Sequence, residues 1–234
     1  MYRRVLLKLS GEQLQGQFDG GFDIERANWI ANELRSVVES GTEVVIMVGG
    51  GNYARGAQLQ NEHIPRVTAD NIGMLATMMN ALALSSVLNS VGLPARALSN
   101  IKADQAIDQF THRRALSHLE KGRIVIVAGG TGRPYLTTDT AAVALCLELD
   151  CDVVLKATKV NGVFTKDPAM HDDAEHMPHV SYDEALANED IGVMDKAAIG
   201  LAMENKTPVV IFELLQDGNI AKAIKDEGIG TRVG

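Results

Sequence analysis

Two runs of this chain, Glu43–Val48 (EVVIMV) and Arg123–Ala128 (RIVIVA), show no polar alternation, and each ends directly in glycines. Gly49-Gly50-Gly51 follows the first run and Gly129-Gly130-Thr131-Gly132 the second. A strand with one face in water alternates apolar and polar residues, so unbroken runs belong to strands covered on both faces. Helical stripes lie between them. Asp23 is placed to cap a helix whose Ala27, Ile30, Leu34, Val37 and Val38 share a face, and Gly41 stands where that helix should stop. Further helices are expected over 70–91, 111–121, 138–149, 194–205 and 220–225, and further strands over 5–9, 152–155 and 209–212. Such alternation implies right-handed crossovers and an α/β fold, a three-layer αβα sandwich with a mainly parallel central sheet. The 234 residues suit a single domain over 1–234, with no linker and no internal repeat.

Composition removes several function classes. With 46% hydrophobic and 22% charged residues the chain is not a disordered one. The net charge of −8 and the lack of any Lys/Arg cluster speak against nucleic acid as a partner. No unbroken apolar run reaches the ~18 residues of a membrane span, and the start (Met1-Tyr2-Arg3-Arg4-Val5-Leu6-Leu7-Lys8) lacks the long apolar segment and cleavage site of a signal peptide. A cytoplasmic location with no membrane partner is expected. Cys146 and Cys151 fit neither a disulfide framework nor a zinc knuckle and read as buried small apolar residues. His171, His176 and His179 sit in a polar segment with Asp172, Asp173 and Pro178, so no metal ligand set is expected.

In open parallel sheets, ligands bind at the carboxyl ends of the strands. Three glycine-bearing turns fall there: Lys8-Leu9-Ser10-Gly11, Gly49-Gly50-Gly51-Asn52 and Gly129-Gly130-Thr131-Gly132. Glycine lets backbone N–H groups converge on an anion, and three such turns on one edge point to a polyanion site. Neither G-x-x-x-x-G-K-[ST] nor G-x-G-x-x-G occurs, which disfavours a P-loop kinase and a Rossmann dehydrogenase. Cations stand near the turns instead. Lys8 lies inside a short apolar strand, Lys156 and Lys159 follow the 152–155 strand, and Arg55 follows the triple glycine. Phosphoryl transfer needs positioning and charge neutralisation more than covalent help, and cations from different strands suit it.

The chain resembles the amino acid kinase superfamily and, within it, the bacterial UMP kinases, from Val5 to Thr231. The matching blocks are KLSGE (Lys8–Glu12), GGGN with RG (Gly49–Asn52, Arg55-Gly56), and Asp70 with GMLAT and MNAL (Gly73–Thr77, Met79–Leu82). They continue with GGTG, Pro134 and TTDTAA (Thr137–Ala142), LKATKV (Leu155–Val160) with Gly162-Val163 and Asp167-Pro168, and Met194-Asp195 with Ala197. Six blocks in order are far more specific than any one.

The resemblance implies phosphoryl transfer from MgATP to UMP, giving UDP and ADP, in pyrimidine nucleotide biosynthesis. Mg²⁺ would be carried with ATP. An amino acid kinase-like domain would bind UMP roughly in 1–150 and ATP roughly in 151–234. Lys8, Lys156, Asp139 and Arg55 would be catalytic, with Asp139 orienting the lysines. Gly50, Asp70, Thr131, Gly132, Arg133, Pro134, Tyr135, Leu136, Thr137 and Thr138 would hold UMP, with Asp70 on the ribose. Lys8, Leu9, Ser10, Gly11, Gly51, Arg55, Thr158, Asn161, Phe164 and Asp167 would hold ATP. A homohexamer, UTP inhibition and GTP activation are family traits. Where relatives use an Arg and a His for GTP, this chain has Ser85 and Asn89, though it keeps Arg96 and Arg123, so weak GTP activation is expected. It also departs from the family pattern at Arg133 (usually Asn), Leu136 (usually aromatic or small polar) and Asn161 (commonly Asp). Carbamate, acetylglutamate or aspartate kinases and non-catalytic nucleotide-binding relatives are the alternatives. Asp70 and the 131–138 segment argue against the first, and Lys8, Asp139 and Lys156 against the second.

Overall fold

A computed structural model describes residues 1–54, 56–166, 170–188 and 194–234, with Gly56 and Ala57 described by their backbone alone. The first half runs β1 (Arg4–Leu9), α1 (Gly11–Leu14), α2 (Ile24–Glu39), β2 (Glu43–Val48), α3 (Gly56–Leu59), α4 (Arg66–Ser90), β3 (Ala95–Ser99), β4 (Asp108–Gln109), α5 (His112–Leu119) and β5 (Ile124–Ala128). The second half runs α6 (Thr138–Glu148), β6 (Val153–Thr158), β7 (Val163–Phe164), β8 (His176–Met177), β9 (His179–Val180), α7 (Tyr182–Ala187), α8 (Lys196–Asn205), β10 (Val209–Glu213), α9 (Asn219–Lys225) and β11 (Thr231–Val233). Nine of these strands form one sheet in the order β4-β3-β5-β2-β1-β6-β10-β11-β9. All neighbours in it are parallel except β10 and β11.

The period-two geometry of the strands divides the core. Val5, Leu7 and Leu9 of β1 pack with α2, α4 and α9, whereas Leu6 packs with α5, α6 and α8 on the other face. This is the expected αβα sandwich, and β1, buried along its whole length, lies near the middle of the sheet. In α2 the Asp23 carboxylate accepts from the N–H groups of Glu25 and Arg26, and Ala27, Ile30, Ala31, Leu34 and Val37 are buried. Gly41, just beyond the end of that helix, has φ 89°.

Three expectations change. The helix expected from residue 70 begins at Arg66, because Pro65 before it already holds φ −60° and needs no helical N–H. The strand β3 is not foreseen from the sequence, since ARALS has no β-branched residue and one exposed position. Cys151 is only half-buried, while Cys146 is buried. Although α4 contains charged residues, it is the one helix among the described residues long and apolar enough to cross a membrane. Half of that stretch is buried, and it packs on α2, β3 and β5 as a core helix does.

Candidate active site

Lys8 and Lys156 are direct partners in the parallel β1–β6 ladder. Strand alternation puts Lys8 on the face of Leu6 and Lys156 on the face of Val154, and both of those residues pack toward α6. Two ammonium groups side by side repel, and α6 supplies the answer. Its first turn carries Asp139, whose Oδ1 lies 2.7 Å from Lys8 Nζ and whose Oδ2 lies 2.7 Å from Lys156 Nζ. Both contacts are short and charge-assisted, one to each carboxylate oxygen. Lys8 and Asp139 are 8% and 9% exposed.

Burial opposes ionisation of Asp139, but attraction from Lys8 and Lys156 overrides it and holds the carboxyl below its ordinary value. Burial lowers the Lys156 pKa, Lys8 lowers it further, and Asp139 partly restores it. The α6 end is anchored twice. Thr137 caps it by accepting from the N–H groups of Asp139 and Thr140. Asp195, the cap of α8, accepts from the Thr140 hydroxyl at 2.8 Å and from Ala198 N–H at 2.9 Å.

The glycine turns meet beside this cluster. A Cβ on Gly11 would lie 2.5 Å from Gly51 N, and one on Gly50 would lie 2.7 Å from Gly73 O, so neither position admits a side chain. The turn after β2 is fixed to α4 by a reciprocal pair: Asn52 Nδ2 donates to Asn80 Oδ1 at 2.9 Å and Asn80 Nδ2 to Asn52 Oδ1 at 2.7 Å. Asn80 also donates to Gly49 O at 2.7 Å and is wholly buried. Thr77 of the same helix accepts from Gly129 N–H at 2.7 Å, which pins the turn after β5, where Gly129 has φ 80°.

Between these turns and α4 lies a cavity of about 350 Å³. Gly50, Asp70, Arg133, Leu136, Thr137 and Thr138 are among its lining residues. Thr131 accepts from Arg133 N–H at 3.2 Å, Gly132 N–H donates to Gly129 O, and Pro134 is half-buried, so the 131–138 segment is a folded rim. Tyr135 and Leu136 are 65% and 45% exposed. Of the residues assigned to ATP, Leu9, Ser10 and Gly11 follow β1, and Gly51 lies against Gly11. Thr158 ends β6 with its hydroxyl 3.2 Å from Phe212 O; Asn161 is exposed, and Phe164 packs edge-on against His176 at 5.3 Å. Arg55 and Asp167 lie outside the described residues. Among the described residues no group of three His, Cys, Asp or Glu could hold a metal ion.

Asn80, Thr77, Thr140 and Asp195 have no role read from the sequence, although all four fall inside the matching blocks. Their common signal is a polar residue within an apolar helical stretch or directly before one.

A buried Lys–Asp–Lys cluster beside converging glycine turns defines a phosphoryl-transfer enzyme that works without a P-loop. The chain belongs to the amino acid kinase family, whose profile matches residues 3–213. It is 45% identical over 232 residues to uridylate kinase of Dichelobacter nodosus (strain VCS1703A), covering 99% of this chain and 96% of that protein. Its structure is similar to UMP kinase from Bacillus anthracis at TM-score 0.94 and 38% identity, covering 100% of this chain and 96% of that one. UMP kinase from Ureaplasma parvum gives TM-score 0.92 at 29% identity, covering 100% and 99%.

Proposed function

We propose that this enzyme transfers the γ-phosphoryl group of MgATP to UMP. A UMP phosphate oxygen attacks the γ-phosphorus, the bond to the β,γ-bridging oxygen breaks, and UDP and ADP leave. The observation that carries the reading is the Lys8–Asp139–Lys156 cluster next to a cavity closed by Asp70 and the 131–138 rim. The acceptor phosphate has a second pKa of about 6 and is largely ionised at neutral pH, so no general base is needed. The obstacle is repulsion between two polyanions. Lys8 and Lys156 offset it, and Asp139 keeps the two ammonium groups together at the edge where the phosphates meet. Mg²⁺ enters as part of the nucleotide substrate, which agrees with both Asp139 oxygens being engaged by lysines.

UMP takes Gly50, Asp70 and residues 131–138, and ATP takes residues 8–11, Gly51, Arg55, Thr158, Asn161, Phe164 and Asp167. One domain over 1–234 thus has its UMP part roughly in 1–150 and its ATP part roughly in 151–234. The location is cytoplasmic. Self-association as a homohexamer is what the resemblance implies, and Leu75, Met79 and Leu82, exposed on one flank of α4, support an interface between copies. UTP inhibits by occupying the UMP site. GTP activates weakly, because Asn89 is committed to Ala95, donating to its carbonyl and accepting its N–H. Micromolar GTP at sub-saturating ATP should change the rate by less than about twofold, since a lost charged contact weakens binding tenfold or more.

The test is ADP release from MgATP across acceptors. UMP should support turnover, CMP and dUMP much less, and carbamate, acetylglutamate or aspartate none. Equal turnover with a small carboxylate or carbamate would overturn the reading.

A further inference from the structure

Arg66 opens α4 one turn before Asp70, and the sequence gives it no role. Its Nε lies 2.8 Å from both Asp70 oxygens. Its guanidinium lies over the Tyr135 ring, 5.4 Å from the centroid. The loop closes the triangle, because Tyr135 N–H donates to Asp70 Oδ2 at 2.8 Å. Tyr135 does this from φ 68°, a left-handed backbone that a bulky residue keeps only where its surroundings hold it.

An i,i+4 Arg–Asp pair on a helix is usually a solvated surface feature of little consequence. Two observations set this one apart. The Asp70 side chain is only 13% exposed, and its further donor comes from a loop 65 residues away. Arg66, Asp70 and Tyr135 also stand at one cavity, which Arg66 and Asp70 line. A carboxylate offers about four acceptor directions. Arg66 engages both oxygens and Tyr135 N–H takes one more direction, so little of Asp70 remains open and its orientation is fixed.

We propose that Arg66 is a positioning residue for recognition of the acceptor sugar. It fixes the Asp70 carboxylate and holds the Tyr135 segment over the cavity, so that Asp70 presents one remaining acceptor direction to a ribose hydroxyl. The inference rests on the nucleoside monophosphate reading of this site. Lysine is only a partial substitute: its ammonium can approach the Asp70 carboxylate, but it lacks the planar guanidinium that here reaches Asp70 through Nε while its carbon centre lies over the Tyr135 ring.

The experiment compares Arg66→Gln, Arg66→Lys, Tyr135→Leu and Asp70→Asn with the unaltered full chain. Steady-state rates are taken with UMP, 2′-deoxy-UMP and 3′-deoxy-UMP, and each variant's melting temperature is recorded. Arg66→Gln should raise KM for UMP about tenfold or more, as loss of a charged contact does. It should also shrink the kcat/KM preference for UMP over at least one deoxy analogue. Its kcat and its KM for ATP should stay within about threefold. Arg66→Lys should recover part of the loss. Tyr135→Leu, which leaves α4 intact, should show the same shift more weakly. An unchanged UMP KM in both Arg66→Gln and Tyr135→Leu, with Asp70→Asn impaired, would overturn the positioning role and leave Asp70 as the sugar contact. A lowered melting temperature with the analogue preference intact would also overturn it, since Arg66 would then be merely structural. An unchanged UMP KM in Asp70→Asn as well would overturn the nucleotide reading of this rim.

Discussion

The Lys–Asp–Lys cluster and the 131–138 rim lie side by side, yet they are built in opposite ways. The cluster stands on neighbouring central strands and the first turn of α6, with Lys8 and Asp139 almost inaccessible. The rim is a surface segment whose Tyr135 and Leu136 are largely exposed and whose hold on the molecule runs through Asp70 and Asp195. On the proposed reading, the charges that meet the transferring phosphoryl group must be fixed and partly desolvated, because fields act strongly only where water is excluded. The groups that choose the acceptor need only line its path, and a loop can vary there without disturbing the sheet. Of the three positions where the resemblance implies a departure, Arg133 and Leu136 fall in the rim, Asn161 lies in the 158–167 segment, and none falls in the cluster.

The largest effect that sharpens this contrast is expected from Asp139→Ala. It leaves two ammonium groups facing each other in a buried place, with a stability loss of about 3–5 kcal/mol and a fall in kcat of at least about 100-fold. Denaturant unfolding and steady-state rates on the same preparation check both. A variant of near-normal stability would mean that the lysines do not depend on Asp139 for their placement.

Next is Asn80→Ala. The change removes two donations and one acceptance and leaves Gly49 O and Asn52 Oδ1 without their Asn80 donor, at a cost of about 1–3 kcal/mol each at most. The Gly50–Gly51 turn should loosen, so KM for both substrates should rise more than kcat falls. Selective loss for one substrate would break the picture of a shared turn.

The smallest effect is in pH. Lys156 is held below the ordinary 10.5 by burial, so its charge is lost at a lower pH than that of a free lysine. The alkaline limb of kcat should therefore begin below that value, and it should move upward in Lys8→Met, which removes a neighbouring cation. Asp139 works in the other direction. Its carboxyl is lowered, so its contribution to stability is complete above the usual carboxylate range and is lost only as the pH falls through the depressed value. A kcat profile flat to the limit of alkaline stability would contradict the Lys156 assignment.

Much of this was legible in the sequence because the core writes itself in pattern. Unalternated runs gave β2 and β5 nearly to the residue, and a lysine inside the apolar RVLLKL strand could hardly be a surface charge. The glycines at strand ends marked the edge where the site lies. Other parts depend on partners distant in the chain. Asn80 reads as one polar residue in an apolar helix until Asn52 arrives from 28 residues away. Arg66 reads as solvated until the Tyr135 ring covers it. The pairing of Asp139 with both lysines came from resemblance, since no local pattern joins α6 to β1 and β6. The β3 strand was illegible because its pairing with β5, not its residues, makes it a strand.

The claim that a buried cluster does the chemistry while a surface rim selects the acceptor is tested most directly by measuring Lys8→Ala and Asp70→Asn in one UMP-dependent ADP-release assay. The account predicts that Lys8→Ala lowers kcat at least about 100-fold in a folded protein. It predicts that Asp70→Asn mainly raises KM for UMP, by about tenfold or more, with kcat and the KM for ATP little changed. Near-normal kcat in Lys8→Ala, or a collapse of kcat with unchanged KM in Asp70→Asn, would contradict it.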